Sequence, residues 1–112
     1  MDNQVFVADA QDLVEFFAQP DESDLWAVLF KKASGKQTVT YEELLDVAIA
    51  WGWIDTQVRR VDDERYALRF RRRKPGGNWT PANLEIARKL VAAGVMTDPG
   101  RATLPDNFDP AR

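Results

Sequence analysis

Five arginines and a lysine fall between positions 65 and 74: Arg65, Arg69, Arg71, Arg72, Arg73 and Lys74. In an extended chain successive side chains alternate between faces, so Arg65, Ala67, Arg69, Arg71 and Arg73 share one side and Tyr66, Leu68 and Phe70 the other. One side would pack, and the other would display guanidinium groups suited to carboxylates and phosphates. A second group with anion chemistry is Lys31, Lys32, Ser34, Gly35 and Lys36, a polar turn ahead of a helix start, where backbone amides attract anions. It is not a nucleotide-hydrolysing loop, because that pattern needs Gly at Phe30 and a hydroxyl residue at Gln37. Trp53 and Trp79 near these cations form the aromatic and cationic mixture that single-stranded nucleic acids favour, although a small core also needs such rings.

Other chemistries are narrowed by what is missing. There is no Cys and no His, which excludes serine-histidine and cysteine-histidine catalysis, disulfides and the usual zinc ligands. Catalysis would fall to a carboxylate, a lysine or a tyrosine, with Asp55, Tyr66 and Lys36 as candidates. No spacing among them defines a reacting centre. Asp55 follows the apolar run Trp51, Gly52, Trp53, Ile54, so a partly buried carboxylate paired with an arginine is expected, with a ligand-binding role as the alternative. Asp62, Asp63 and Glu64 are adjacent, cannot all converge on one hard cation, and read as a solvated turn. No metal or cofactor site is expected.

Length and charge bound the class. The chain has 112 residues, is 45% hydrophobic and contains four Trp and six Phe. It is read as one domain spanning 1–112, since a second core would not fit. Residues 1–24 hold seven acids and no Lys or Arg, residues 25–74 eleven bases against seven acids, and residues 75–112 four of each, for a net charge of −3. A basic island behind an acidic start implies either an anion-binding face or an internal match between the first helix and the sheet. The opening MDNQVFVADA has no basic start and no long apolar stretch, so no secretory leader or membrane span is expected and a cytoplasmic protein is the default.

The elements that must position these groups follow from periodicity. Asp9 can cap a first helix whose stripe is Leu13, Val14, Phe16 and Phe17, ended by Pro20. Residues 25–32 are apolar at both parities, the signature of a central strand covered on two faces. Thr40 and Glu43 form a capping box for a second helix bearing Tyr41, Leu44, Leu45, Ala48 and Trp51, with Gly52 at its end. Residues 53–61 and 65–73 alternate with period two and make a hairpin across Asp62 to Glu64. Thr80 and Pro81 start a third helix lined by Ile86, Ala87, Leu90 and Val91; Gly94 stops it and Val95 is the expected apolar companion. The tail, 99–112, carries Pro99, Gly100, Pro105 and Pro110 and reads as irregular, with Phe108 tucked against the core. The second helix carries Glu42, Glu43 and Asp46 and no base, which argues against a winged helix on DNA. The sum is an α+β fold in the order α-β-α-β-β-α. It has a small three-stranded, mostly antiparallel sheet, about three helices on one face, and the arginine side left open.

Several ordered motifs between Leu25 and Gly100 resemble the bacterial YdeI/OmpD-associated family, also labelled bacteriocin-protection or OmdA-like proteins. Lys31, Lys32, Ser34, Gly35 and Lys36 are similar to its K-K-x-S-G-K turn, and Thr40, Tyr41 and Glu43 to the helix start that follows. Gly52, Trp53, Ile54 and Asp55 match its G-W-I-D; Tyr66, Arg69 and Phe70 its Y-x-x-R-F strand; Asn78, Trp79, Thr80 and Asn83 its N-W-S/T-x-x-N. Gly94, Met96, Thr97, Pro99 and Gly100 resemble the stretch after that. Arg71 and Arg72 stand where such proteins usually have Thr-Pro, and the tail lacks their longer carboxy-terminal helical stretch. The resemblance implies a family core at 25–98 and a link to defence against antimicrobial peptides, without an agreed reaction.

The expectation is a small non-enzymatic binding protein without a cofactor. Its anionic partner would be held by Lys31, Lys32, Ser34, Gly35, Lys36, Trp53, Asp55, Arg69, Arg71, Arg73, Asn78 and Trp79. That partner could be a small molecule, a protein or a nucleic acid. The alternatives are a nucleic-acid-binding protein, whose affinity would fall steeply with salt, and an enzyme using Asp55, Tyr66 and Lys36.

Overall fold

A run that is apolar at both parities belongs in the middle of a sheet, and Asp24–Phe30 does form an inner strand, with Leu25 to Leu29 all buried. The computed structural model describes residues 4–7, 10–19, 21–36, 39–77 and 79–110. Their elements are β1 (Gln4–Phe6), α1 (Ala10–Phe17), β2 (Asp24–Phe30), a 3₁₀ turn (Lys32–Ser34), α2 (Tyr41–Ala50), β3 (Trp53–Arg60), β4 (Arg65–Arg72), α3 (Pro81–Ala92) and α4 (Asp98–Arg101). The strands β2, β4 and β3 form the expected antiparallel sheet, and the expected order α-β-α-β-β-α is kept.

Two short elements lie outside that expectation. The three residues of β1 add a parallel strand beside β2, giving the order β1-β2-β4-β3. Helix α4 interrupts the tail that was expected to be irregular: Thr97 caps it by accepting from the Gly100 amide, and Pro99 sits in its first turn,. The proposed cap Asp9 and stop Pro20 lie outside the described residues.

Local chemistry accounts for the other boundaries. Thr40 and Glu43 make the reciprocal capping box of α2, and Thr80 with Pro81 starts α3,. Gly52, at φ 84°, ends α2 in the left-handed region, where a side chain would be strained,. Val95 follows Gly94 as expected, yet the residue is 54% exposed rather than packed.

All the helices lie to one side. Leu13, Phe16 and Phe17 of α1 and Leu44 and Ala48 of α2 cover Leu25, Ala27, Leu29, Trp53, Leu68 and Phe70 of the sheet. Helix α3 packs outside α2, in a second cluster with Ile49, Ala87, Met96 and, from the tail, Phe108. On the other side of the sheet the described residues carry no helix, and Trp26, Val28 and Ala67 form a small apolar cluster with Val61. That side is where β4 turns its arginines.

Candidate functional site

The pairing of β2 with β4 sets Asp24 opposite Arg71 and Trp26 opposite Arg69. Cross-strand neighbours on one face stand within side-chain reach, so the strand that carries the arginines is met by a carboxylate and a tryptophan. Arg69 grips Asp24 through two hydrogen bonds, Nε to Oδ1 at 2.8 Å and Nη2 to Oδ2 at 2.5 Å, and gives a third to Gln57. The Arg69 hydrogen bonds hold the Asp24 carboxyl below its ordinary pKa and raise that of Arg69,. Arg59 and Arg69 also stand 5.5 and 5.7 Å from the centre of the Trp26 ring. The aromatic and cationic cluster on the open face is therefore built on Trp26, not on Trp53 or Trp79. The signal was available: Asp24 and Trp26 share a parity on β2 and meet the arginine parity of β4.

Arg71 is different. Among the described residues its nearest carboxylate oxygen is Asp24 Oδ2 at 3.9 Å, beyond hydrogen-bond length and already engaged by Arg69, and its side chain is 55% exposed,. Strand β4 ends at Arg72, so the alternation that placed Arg73 beside Arg71 stops there. Arg73 turns inward, 6% exposed, with its guanidinium 4.0 Å from the Trp79 ring centre. Burial lowers its pKa, and the Asp55 charge opposes that shift. Arg72 lies on the Trp53 ring at 4.2 Å and donates to the carbonyls of Glu22 and Gln19, tying the chain before β2 to the end of β4. Trp53 is fully buried, its Nε1 donating to the Phe17 carbonyl at 2.8 Å. Trp53 thus belongs to the core, where ligand access is lost, and Arg73 is a largely buried part of the wall of the site.

At this end of the hairpin lies an open groove of about 490 Å³, lined by Ile54, Thr56, Arg71, Arg72, Arg73, Lys74 and Gly77. Among the described residues, its lining holds four basic side chains and no acidic one. Arg71 and Lys74 are the exposed cations among them, and Ile54 supplies an apolar wall. Lys74 and Thr56 were not among the expected site residues.

The turn at Lys31 to Lys36 stands at the opposite end of the sheet. Phe30 pairs with Arg65 and Asp24 with Arg71, which separates the turn from the groove by roughly 20 Å of strand. Three of the turn's amides are used internally, and the Lys31 amide donates to the Glu64 carbonyl. Ser34 and Gly35 donate to the Lys31 and Lys32 carbonyls, and the Lys36 amide donates to Ser34 Oγ. The Lys36 ammonium pairs with Glu64 at 2.7 Å. Lys31 and Lys32 flank this turn, and Asn78 lies outside the described residues. The structure therefore gathers Arg71 and Arg73 of the expected set at the groove, leaves Arg69 on the sheet face with Asp24, and keeps the lysine turn apart.

The carboxylates also find partners. Asp55, expected to pair with an arginine, accepts from the Tyr41 hydroxyl at 3.2 Å, and its charge reaches Arg73. Desolvation raises the pKa of Tyr41, with Asp55 adding to the shift, and desolvation likewise raises that of Tyr66,. Asp55 pairs with Phe70 and Tyr66 with Arg60 in the sheet, so the two stand about 13 Å apart along β4. With Lys36 held on Glu64, the three residues of the enzymatic alternative do not converge. In the hairpin loop each carboxylate turns to its own cation: Asp62 to Arg65, Asp63 to Arg60 and Glu64 to Lys36. The Asp62 pKa falls to about 2 under the hydrogen bonds from Arg65 and the Glu64 amide. No helix among the described residues is long and apolar enough to cross a membrane.

Comparison with curated proteins and with solved structures gives no match. The family described as Domain of unknown function (DUF8412) matches residues 5–103, taking in β1 but for its first residue, β2 to β4, α1 to α4 and the whole groove. With nearly the entire chain covered, the protein belongs to the Domain of unknown function (DUF8412) family.

Proposed function

We propose that this domain is a non-enzymatic binding module that takes an anionic partner in the groove at the end of the β3–β4 hairpin. The observation that carries the reading is the charge of the groove: among the described residues four basic side chains and no carboxylate line about 490 Å³, and Arg71 and Lys74 are exposed there. Arginine offers planar paired donors and lysine a mobile point charge, a combination suited to carboxylates and phosphates. The sheet face beside it, neutralised by the Arg69–Asp24 pair, acts as support for the groove rather than as the site.

The nucleic-acid reading gains less from the geometry. Base stacking needs an open aromatic face, and Arg72, Arg73 and the pair Arg59 and Arg69 lie against Trp53, Trp79 and Trp26 respectively. The separation of Asp55, Tyr66 and Lys36 supports a role without catalysis. The motif resemblance to YdeI/OmpD-associated proteins leads us to propose a cytoplasmic protein related to that group, with protection against antimicrobial peptides as the broader context.

A titration of the ¹⁵N-labelled protein with inorganic pyrophosphate tests the groove. Saturable shifts of the Thr56, Arg71, Lys74 and Gly77 amides are expected. Shifts centred on Gly35 and Lys36, or none that saturate, would overturn the assignment.

A further inference from the structure

The groove opens onto the outermost strand of the sheet, since Ile54 and Thr56 of its lining belong to β3 and β3 ends the order β1-β2-β4-β3. Val61 donates its amide to the Arg65 carbonyl just beyond the strand. Antiparallel pairs alternate between inward and outward backbone groups, so Gln57 and Arg59 face β4 while Val58 and Arg60 turn their N–H and C=O groups outward. No described residue hydrogen-bonds to that outer edge. An unpaired edge of this kind is a template for another strand.

Its side chains describe the strand that would fit. Val58 is 71% exposed, an apolar side chain on a part of the sheet that the helices do not reach. Arg59 lies on the opposite face, exposed, on the same side as Arg71. Asp55, the one carboxylate of β3, is held by Tyr41. A second copy of this chain fits the edge poorly. It would add two more arginines, and its hairpin carboxylates already hold Arg60, Arg65 and Lys36. The bulge between Asp55 and Gln57 further discourages self-pairing,.

We infer that β3 receives an extended acidic peptide as an added strand, placing an apolar side chain against Val58 and carboxylates toward Arg59 and Arg71. This rests on the groove reading above and names the partner class for it. Backbone bonds from Val58 and Arg60 supply strand addition, while Arg59, Arg71 and Lys74 select the charge.

The probe is the capped hexapeptide acetyl-Glu-Val-Glu-Val-Glu-Val-amide, with its Lys-for-Glu counterpart as control, read by amide hydrogen exchange and NMR shifts on the full chain. The acidic peptide is expected to slow exchange of the Val58 and Arg60 amides, and the lysine peptide to leave them unchanged. R59E should weaken peptide binding at least tenfold. V58P removes an outward donor at an edge position where proline is tolerated; it should abolish the protection while leaving the pyrophosphate response intact. Pyrophosphate binding without peptide protection would overturn strand addition and leave the groove standing, and absence of both would overturn the groove itself. Equal protection by the lysine peptide, or protection of Val58 that grows with protein concentration alone, would equally refute an acidic partner.

Discussion

Replacing Asp24 by Asn should weaken the fold and tighten anion binding in the same molecule. The carboxylate takes two charge-assisted hydrogen bonds from Arg69. The two side chains are 36% and 26% exposed, so solvent screens much of the attraction. For a screened bidentate pair the loss is about 1–2 kcal/mol, or roughly 4–8 °C in Tm for a domain of this size. The same carboxylate lies 3.9 Å from Arg71 and competes with any anion there. At water-like dielectric that competition is about 1 kcal/mol, roughly fivefold in affinity. Calorimetric melting and pyrophosphate titration of D24N at low salt measure both quantities. A variant that melts earlier without binding tighter would show that Arg71 does not receive the anion. An unchanged Tm would show that the pair contributes nothing to the fold.

Three further outcomes are expected. Gly100→Ala would set a Cβ 2.1 Å from the Ala50 carbonyl oxygen and 2.7 Å from Met96 Sδ; urea unfolding should show a loss of about 3 kcal/mol, and a loss below 1 kcal/mol would contradict the close seating of α4 on α2. Trp53→Phe removes the bond to the Phe17 carbonyl from a fully buried site and should cost about 2–3 kcal/mol in the same assay, whereas an unchanged midpoint would place that ring outside the core. Arg69 and Arg65 hold the Asp24 and Asp62 carboxyls below their unfolded values, Asp62 at about 2. Their contribution is complete above the unfolded value of about 4 and is lost as pH falls through the folded values. Asp46, raised by burial, works in the opposite sense. Tm should stay level from pH 7 to 5 and fall between about pH 4 and 2, less steeply in D62N, and a fall starting above pH 5 would refute this origin.

Helix α2, the hairpin and α3 were legible because each is set by local chemistry: a capping box, a period-two pattern and a Thr-Pro start. Strand β1 was not, since three residues carry no period and its partner β2 lies some twenty positions away. Helix α4 left a signal, Thr97 ahead of Pro99, but its formation depends on Thr97 bonding the Ala50 carbonyl at 2.5 Å, a contact far removed in sequence. At the site, alternation placed Arg69 and Arg71 correctly on one face. It failed at Arg73, where the strand has ended and the guanidinium stacks on Trp79. The lysine turn and the arginine row looked like one site because both are basic. Only the strand register shows that they occupy opposite ends of β4.

The central claim is that anions are held at Arg71 and Lys74 and not at the lysine turn. Pyrophosphate affinity should be compared between R71E/K74E and K31E/K32E/K36E, at equal salt and with folding checked by melting. The groove variant should lose at least tenfold, and the turn variant should bind within twofold of the parent. The reverse pattern, or equal losses in both, would contradict the account.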